Sequence, residues 1–258
     1  MTVLIAGNNP ASEYYTSSII RRGEKLGYTV HLSRFDSDVS QETVLAKIDQ
    51  LNSDDSVHAI MIQKPLPEQI NPERIALAIS PDKDVDALHP VNTGKLFLNQ
   101  PGFYPCTAEA VIELLKFYEI ETQGKKVVVI GRSAVIGKPV AGLLLHKSVF
   151  GNATVTICHS STRRLEEVVR GADIVIAAIG RAGFVTSAMV HAGAVIIDVG
   201  VNQVDDSVKG TVYVGDVDYE SCLSVSSAIT PVPGGVGTVT TAVLMRHVLT
   251  AFLNFSAT

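Results

Sequence analysis

Short runs rich in valine, isoleucine and threonine alternate along this chain with longer stretches that repeat their apolar residues at helical spacing. The runs at 2–6, 29–35 and 58–63 predict strands, and the stretches at 12–26, 41–52 and 73–79 predict helices. A second series follows a helix at 107–118. Its strands fall at 126–130, 154–158, 174–178, 194–199 and 212–214, and an amphipathic helix at 239–255 closes the chain. Alternation of this kind implies parallel strands joined by right-handed crossovers. The expected fold class is α/β: two α/β domains flanking a cleft, the second a Rossmann-like parallel sheet. The pattern assigns residues 1–115 and 239–258 to the first domain and 116–238 to the second.

Between the strand at 126–130 and a helical stretch at 140–146 lies Gly131-Arg132-Ser133-Ala134-Val135-Ile136-Gly137-Lys138-Pro139. A strand that turns through glycines into a helix N-terminus presents backbone N–H groups and a helix dipole to a pyrophosphate. Pro139 suits a first helical turn, where its missing donor costs nothing. The spacing departs from G-x-G-x-x-G, because Ser133 takes the second glycine position and Gly137 falls one residue late. Gly131, Arg132, Ser133 and Gly137 are the cofactor-binding candidates in this turn.

The strand at 154–158 runs into His159-Ser160-Ser161-Thr162-Arg163-Arg164, with no carboxylate before Glu166. An NAD site usually places an acid there for the ribose hydroxyls. Hydroxyls and guanidinium groups instead suit a 2′-phosphate, so His159, Ser160 and Arg132 point to NADP. The competing reading makes Arg163 and Arg164 a solvated helix start.

Composition narrows the partners. A net charge of −5 argues against nucleic acid or an anionic membrane as the main partner. The three cysteines, Cys106, Cys158 and Cys222, form no C-x-x-C pair and fit buried or free thiols in a reducing compartment. The apolar runs look too short to span a membrane. These features predict a soluble cytoplasmic protein.

Three loops carry unusual chemistry. Gln63-Lys64-Pro65-Leu66-Pro67 ends a strand with two prolines. The segment from Asp82 to Pro90 packs Asp82, Asp84 and Asp86 together but lacks the glycine and terminal Glu of a calcium loop, so no metal is assigned. Thr230-Pro231-Val232-Pro233-Gly234-Gly235-Val236-Gly237-Thr238 is stiff at its start and free at its end, as suits a pocket wall.

With these segments in their order, the chain resembles the bifunctional methylenetetrahydrofolate dehydrogenase/cyclohydrolase family. The matching stretches are GNNPASEYY at 7–15, 63–67, KDVDALHP at 83–90, PCT at 105–107, the GRS turn, TVTICHS at 154–160, IDVGVN at 197–202, GDV at 215–217 and ITPVPGGVG at 229–237. The resemblance implies a folate cleft between the domains, the first catalytic and folate-binding and the second NADP-binding, and a homodimer formed through the second. It implies NADP-dependent oxidation of 5,10-methylenetetrahydrofolate to the methenyl form. By the same resemblance, Tyr15 stacks on the folate rings, Gln63 belongs to the catalytic network and Asp86 grips the pterin's amino edge. Gly234, Gly235 and Gly237 then face the substrate, and Arg132, His159 and Ser160 lie near the 2′-phosphate.

One departure bears on the chemistry. The family carries its proton-handling lysine four residues after the tyrosine, and here that position is Ile19. Isoleucine neither donates, accepts nor carries charge. Lys64, Ala87 and Thr238-Val239 also differ from the family's usual residues. Hydride transfer mainly needs positioning, whereas hydrolysis needs water activated and protons moved. The expectation is therefore a dehydrogenase with weak or absent cyclohydrolase activity. The alternatives are a fully bifunctional enzyme with Lys64 or Arg22 in the lysine's place, and a non-catalytic folate- or nucleotide-binding paralogue.

Overall fold

The computed structural model describes residues 1–206 and 210–255. The chain divides into two compact units, Met1–Tyr104 with Leu244–Thr258, and Pro105–Val243. The expected boundary at 115/116 falls inside a helix that groups wholly with the second unit. Residues 256–258 of the segment expected to complete the first domain lie outside the described residues.

In the first unit, β1 (Thr2–Ala6) lies between β2 (His31–Phe35) and β3 (Ile60–Ile62), all parallel. Helices α1 (Pro10–Lys25), α2 (Gln41–Ser53), α3 (Pro72–Ala78) and α4 (Pro90–Phe97) complete its N-terminal part. The helix starts follow from local chemistry. The Ser40 hydroxyl accepts from Thr43 N at 3.2 Å, and Asn71 accepts from Glu73 N and Arg74 N with Pro72 just inside the helix. Helix α4 was not expected, because Gly94 interrupts its pattern; His89 Nδ1 caps it by accepting from Val91 N at 3.0 Å.

The crossover from β1 to β2 runs opposite to the one from β2 to β3. Right-handed connections therefore put α1 and α2 on opposite faces of the sheet. Residues of α2 and α3 pack against Leu4, Ala6, Ile60 and Ile62. Strand alternation turns Val3, Ile5, Met61 and Gln63 to the other face, the α1 side.

The second unit opens with α5 (Cys106–Phe117) and holds five parallel strands in the order β10-β7-β6-β4-β5. Their ranges are β4 Lys126–Ile130, β5 Thr154–Cys158, β6 Ile174–Ala177, β7 Val195–Asp198 and β10 Ala228–Ile229. Helices α6 (Gly137–Leu144), α7 (Leu165–Arg170) and α8 (Tyr219–Leu223) lie among them. The run expected at 212–214 is the end of β9 (Gly210–Val214), which pairs antiparallel with β8 (Asn202–Asp206) rather than joining the large sheet. The polar sequence Asn-Gln-Val-Asp-Asp hid β8. Helix α9 (Val236–Phe255) starts three residues earlier than the pattern predicts. Its 20 residues are also long and apolar enough to cross a membrane by length and composition, contrary to the expectation that no run is; half of the apolar window is buried inside the protein.

Chain order reverses at β4, with β5 on one side and β6 on the other, which makes its carboxyl end a topological switch point. Gly131 sits there with φ +129°, and a Cβ on it would collide with the carbonyl of Ala178 after β6. Gly131→Ala is expected to lower stability by about 3 kcal/mol or more, combining backbone strain with a steric clash. Urea unfolding checks this; a loss below about 1 kcal/mol contradicts the close approach.

Candidate active site

The second unit gathers its candidate residues along the carboxyl edge of its sheet. Ile130 pairs with Cys158, and Gly131 N donates to Cys158 O at 2.9 Å, so the glycine turn and His159-Ser160 start side by side. The turn closes on itself. Ser133 Oγ accepts from Ile136 N at 3.1 Å and Gly137 N at 3.4 Å, and a Cβ on Gly137 would strike the Gly131 carbonyl. Helix α6 starts at Gly137 itself, three residues ahead of expectation, with Pro139 in its first turn. This tight turn at a helix N-terminus lets an anion approach backbone closely.

Around the turn, Arg132, Ser133 and Ser160 are exposed and His159 is half-buried. His159 Nδ1 accepts from Ser161 N at 3.2 Å, which orients the ring and leaves Nε2 as its second polar atom. Arg164 fits the competing reading, a solvated helix start: it is exposed, adopts φ +54° just ahead of α7, and donates from Nε and Nη2 to the Glu167 carboxylate. Among the described residues, Arg132 and Arg163 have no ion-pair partner.

Two aspartates that sequence reading did not single out organise the same edge. Asp198 (3% exposed) ends β7 and accepts from Gly200 N, Asp216 N and Val217 N, each at 2.9 Å. Asp216 (0% exposed) accepts from Ile179 N at 2.6 Å, Gly180 N at 2.9 Å, Arg181 N at 2.8 Å and Asn202 Nδ2 at 2.9 Å. Gly200 and Gly215 pass so close to these carboxylates that a Cβ on either would overlap them. Burial raises the Asp198 pKa and neighbouring Asp216 adds to that, against the three N–H donors. The available signal was an aspartate within two residues of a glycine at the end of an apolar run, twice, in IDVG and GDV.

The loop after β10 lies on this edge as well. Thr230 Oγ1 accepts from Asp198 N at 2.8 Å; Gly234 has φ +102°, and Gly235 faces the Pro231 carbonyl too closely for a side chain. Gly237 has open space on its Cβ side. From β10 to β5 is four strand spacings, about 19 Å, so these glycines and His159 mark opposite ends of the edge.

In the first unit, Tyr15 lies half-buried on α1, and Gln63 (5% exposed) directly follows β3, where its N–H donates to Leu4 O at 2.8 Å. Lys64 is exposed, so the two neighbours diverge as an extended chain requires. Ser12 Oγ donates to Lys64 O at 2.8 Å and ties the first turn of α1 to that strand end. The 82–90 loop runs beside β3: Ile60 bridges Asp84, and Ile60 N donates to Lys83 O at 2.7 Å. Half-buried Asp86 follows in a turn closed by Ala87 N donating to Asp84 O at 3.1 Å.

The clustered acids have separate tasks. Asp84 Oδ2 accepts from His89 N at 2.7 Å and Asn92 Nδ2 at 3.0 Å, while Lys83 donates to the carbonyls of Leu51, Asn52 and Asp54 at the end of α2. Ile19 is fully buried on α1.

Fold and site together define a two-unit α/β protein with a dinucleotide-type cradle at the switch point of its second sheet. Family descriptions match both units: the tetrahydrofolate dehydrogenase/cyclohydrolase catalytic domain over residues 1–86 and its NAD(P)-binding domain over 105–256. The chain belongs to the tetrahydrofolate dehydrogenase/cyclohydrolase family. It is 46% identical over 256 residues to the bifunctional protein FolD of Chlorobium limicola, covering 98% of this chain and 86% of that one. The FolD of Chlamydia trachomatis is also 46% identical, covering 100% and 90%. Among solved structures, FolD methylenetetrahydrofolate dehydrogenase/cyclohydrolase from Campylobacter jejuni superposes with a TM-score of 0.92 at 42% identity, over 98% and 87% of the two chains. The Trypanosoma brucei enzyme, solved with NADP and an inhibitor, gives 0.93 at 37%, over 98% and 86%.

Burial raises the Asp84 pKa above its ordinary 3.8, against bonds from His89 and Asn92. Folding thus favours the protonated form: that stability is complete below 3.8 and lost as pH rises through the raised value. Its Oδ1 is buried without a partner, so Asp84→Asn keeps both accepted bonds and removes the charge. The substitution is expected to raise stability at pH 7 by on the order of 1 kcal/mol and to flatten the decline between acid and neutral pH. A variant less stable than wild type at pH 7 contradicts this.

Proposed function

We propose that this chain oxidises 5,10-methylenetetrahydrofolate to the methenyl form with NADP⁺ and hydrolyses the methenyl form to 10-formyltetrahydrofolate. The observation that carries the proposal is the glycine turn at the switch point, flanked by exposed Arg132 and Arg163 with no acid at the end of β5. The turn fits a pyrophosphate because Gly131 and Gly137 leave no room for side chains, and the two arginines suit a 2′-phosphate. When bound, NADP⁺ supplies the hydride acceptor. In this reading Gly131, Ser133 and Gly137 hold the pyrophosphate side, and Arg132, His159 and Ser160 hold the ribose phosphate. Tyr15 stacks on the folate, Asp86 binds the amino edge of the pterin, Gln63 orients the reacting centre, and Gly234, Gly235 and Gly237 shape the substrate-facing loop.

The weak hydrolysis expected from Ile19 fits the comparisons less well than its alternative, since the relatives are named bifunctional at 46% identity. One observation still favours it as a second reading: Ile19 is fully buried and puts a methyl surface where a proton-handling group would stand. A homodimer through the second unit also belongs to this proposal; its support is the edge strand β5, where Ile157 is exposed.

Methylenetetrahydrofolate with NADP⁺, followed by absorbance for methenyl formation and decay, tests the proposal. Both steps are expected to run well above the buffer rate; methenyl product that accumulates and decays only at the buffer rate selects the second reading. No hydride transfer with either nicotinamide cofactor sinks both. If the second reading holds, Ile19→Lys is expected to restore hydrolysis about 10²-fold while hydride transfer stays within about tenfold. Arg132→Ala is expected to raise KM for NADP⁺ about tenfold or more and leave that for NAD⁺ near its wild-type value, because one charge-assisted phosphate contact contributes about 1.5–3 kcal/mol. Equal effects on the two cofactors contradict the assignment of Arg132.

A further inference from the structure

Two side-chain polar groups on the α1 side of the first sheet are buried with nothing to bond. They are Thr16 Oγ1, on a residue 1% exposed, and Gln63 Nε2. Such groups are uncommon in folded proteins, and each one marks a functional contact or a bound water. Here there are two, and the topology places them together. Strand alternation turns Gln63 to the face that α1 covers. Ser12 Oγ, bonded to Lys64 O at 2.8 Å, pins α1 against the residue after Gln63. Thr16 lies one turn below Ser12 on the same helix face, a drop of about 6 Å, while Gln63 lies about 3 Å below Lys64 along the strand. Gln63 is thus level with the space between Ser12 and Thr16. Ile19 is the next buried position on that helix face and offers only hydrocarbon.

We infer that Thr16 and Gln63 form a two-point polar site that holds one water against the Gln63 amide, and that Thr16 is thereby a positioning residue for hydrolysis of the methenyl substrate. A hydroxyl both donates and accepts, so it serves the amide whichever way round the amide lies. The neighbouring isoleucine offers nothing in competition, so the amide's orientation depends on Thr16. This inference rests on the folate reading of the same site. It explains how a chain with isoleucine at position 19 keeps its glutamine oriented without a cation in contact with it.

The experiment compares Thr16→Val, which keeps the shape and removes the hydroxyl, with Thr16→Ser, which keeps the hydroxyl. Four quantities are read: methenyltetrahydrofolate hydrolysis, NADP⁺-dependent hydride transfer, Tm, and the Gln63 side-chain amide resonance, identified by its loss in Gln63→Asn. In Thr16→Val, kcat for hydrolysis is expected to fall at least tenfold with KM within about twofold, and hydride transfer to fall less. Its Tm stays within a few degrees of wild type, because the hydroxyl bonds a water rather than another protein group and is replaced by an isosteric methyl. The Gln63 amide resonance moves in Thr16→Val and returns in Thr16→Ser, together with hydrolysis. Wild-type hydrolysis in Thr16→Val, equal losses in the two variants, or an unmoved Gln63 resonance each overturn the inference. A wild-type chain without hydride transfer would overturn the proposed function instead, while the Gln63 resonance still decides whether Thr16 holds the amide.

Discussion

The carboxyl edge of the second sheet depends on two buried carboxylates, Asp198 and Asp216, that accept backbone N–H groups from three separate loops. Between them they fix residues 179–181 after β6, Gly200 after β7 and the start of the segment after β9. Burying a charge is costly unless it is hydrogen-bonded, and here Asp198 accepts three donors and Asp216 four. The geometry permits no side chain at Gly200 or Gly215. Three loops that would otherwise carry unsatisfied N–H groups are locked at the one edge where an α/β sheet binds ligands. The glycine turn beside them is held by the same economy of space, through Gly131 and Gly137.

The first unit reaches order by a different balance. Its central strand is wholly buried, and its two helix layers are separated by the opposite directions of their crossovers. Lys83, although charged, is buried because it satisfies three carbonyls at the end of α2, and Asp84 holds the following turn through His89 and Asn92. Lys83 and Asp84 thus shape this loop, while Asp86 is half-buried and Asp82 exposed.

Much of this was legible in the sequence because period and punctuation agree there. Strands β4 and β5 fall where valine-rich runs end at Gly131 and His159, and α2 begins at the residue its pattern predicts. The hairpin of β8 and β9 was harder to see, since each strand is short and polar and gains its partner only locally. Helix α4 was concealed by Gly94, and its stability comes from the His89 cap and the burial of Asn92 and Leu96. The chemistry of the site was legible where motifs are local, as at 131–137. The roles of Asp198 and Asp216 were not, because their partners lie up to 37 residues away and all but the Asn202 amide are backbone groups that no side-chain pattern reports. The same holds for Thr16, an ordinary helix residue until strand alternation and the Ser12 bond bring it level with Gln63.

Hydrogen exchange with and without saturating NADP⁺ tests directly whether the second unit's carboxyl edge, fixed by the two aspartates, receives the dinucleotide. Slowed exchange is expected at residues 131–137, 159–163 and 179–181, with the distant end of α7 unchanged. Protection that misses 131–137, or that appears only in other segments, would contradict it.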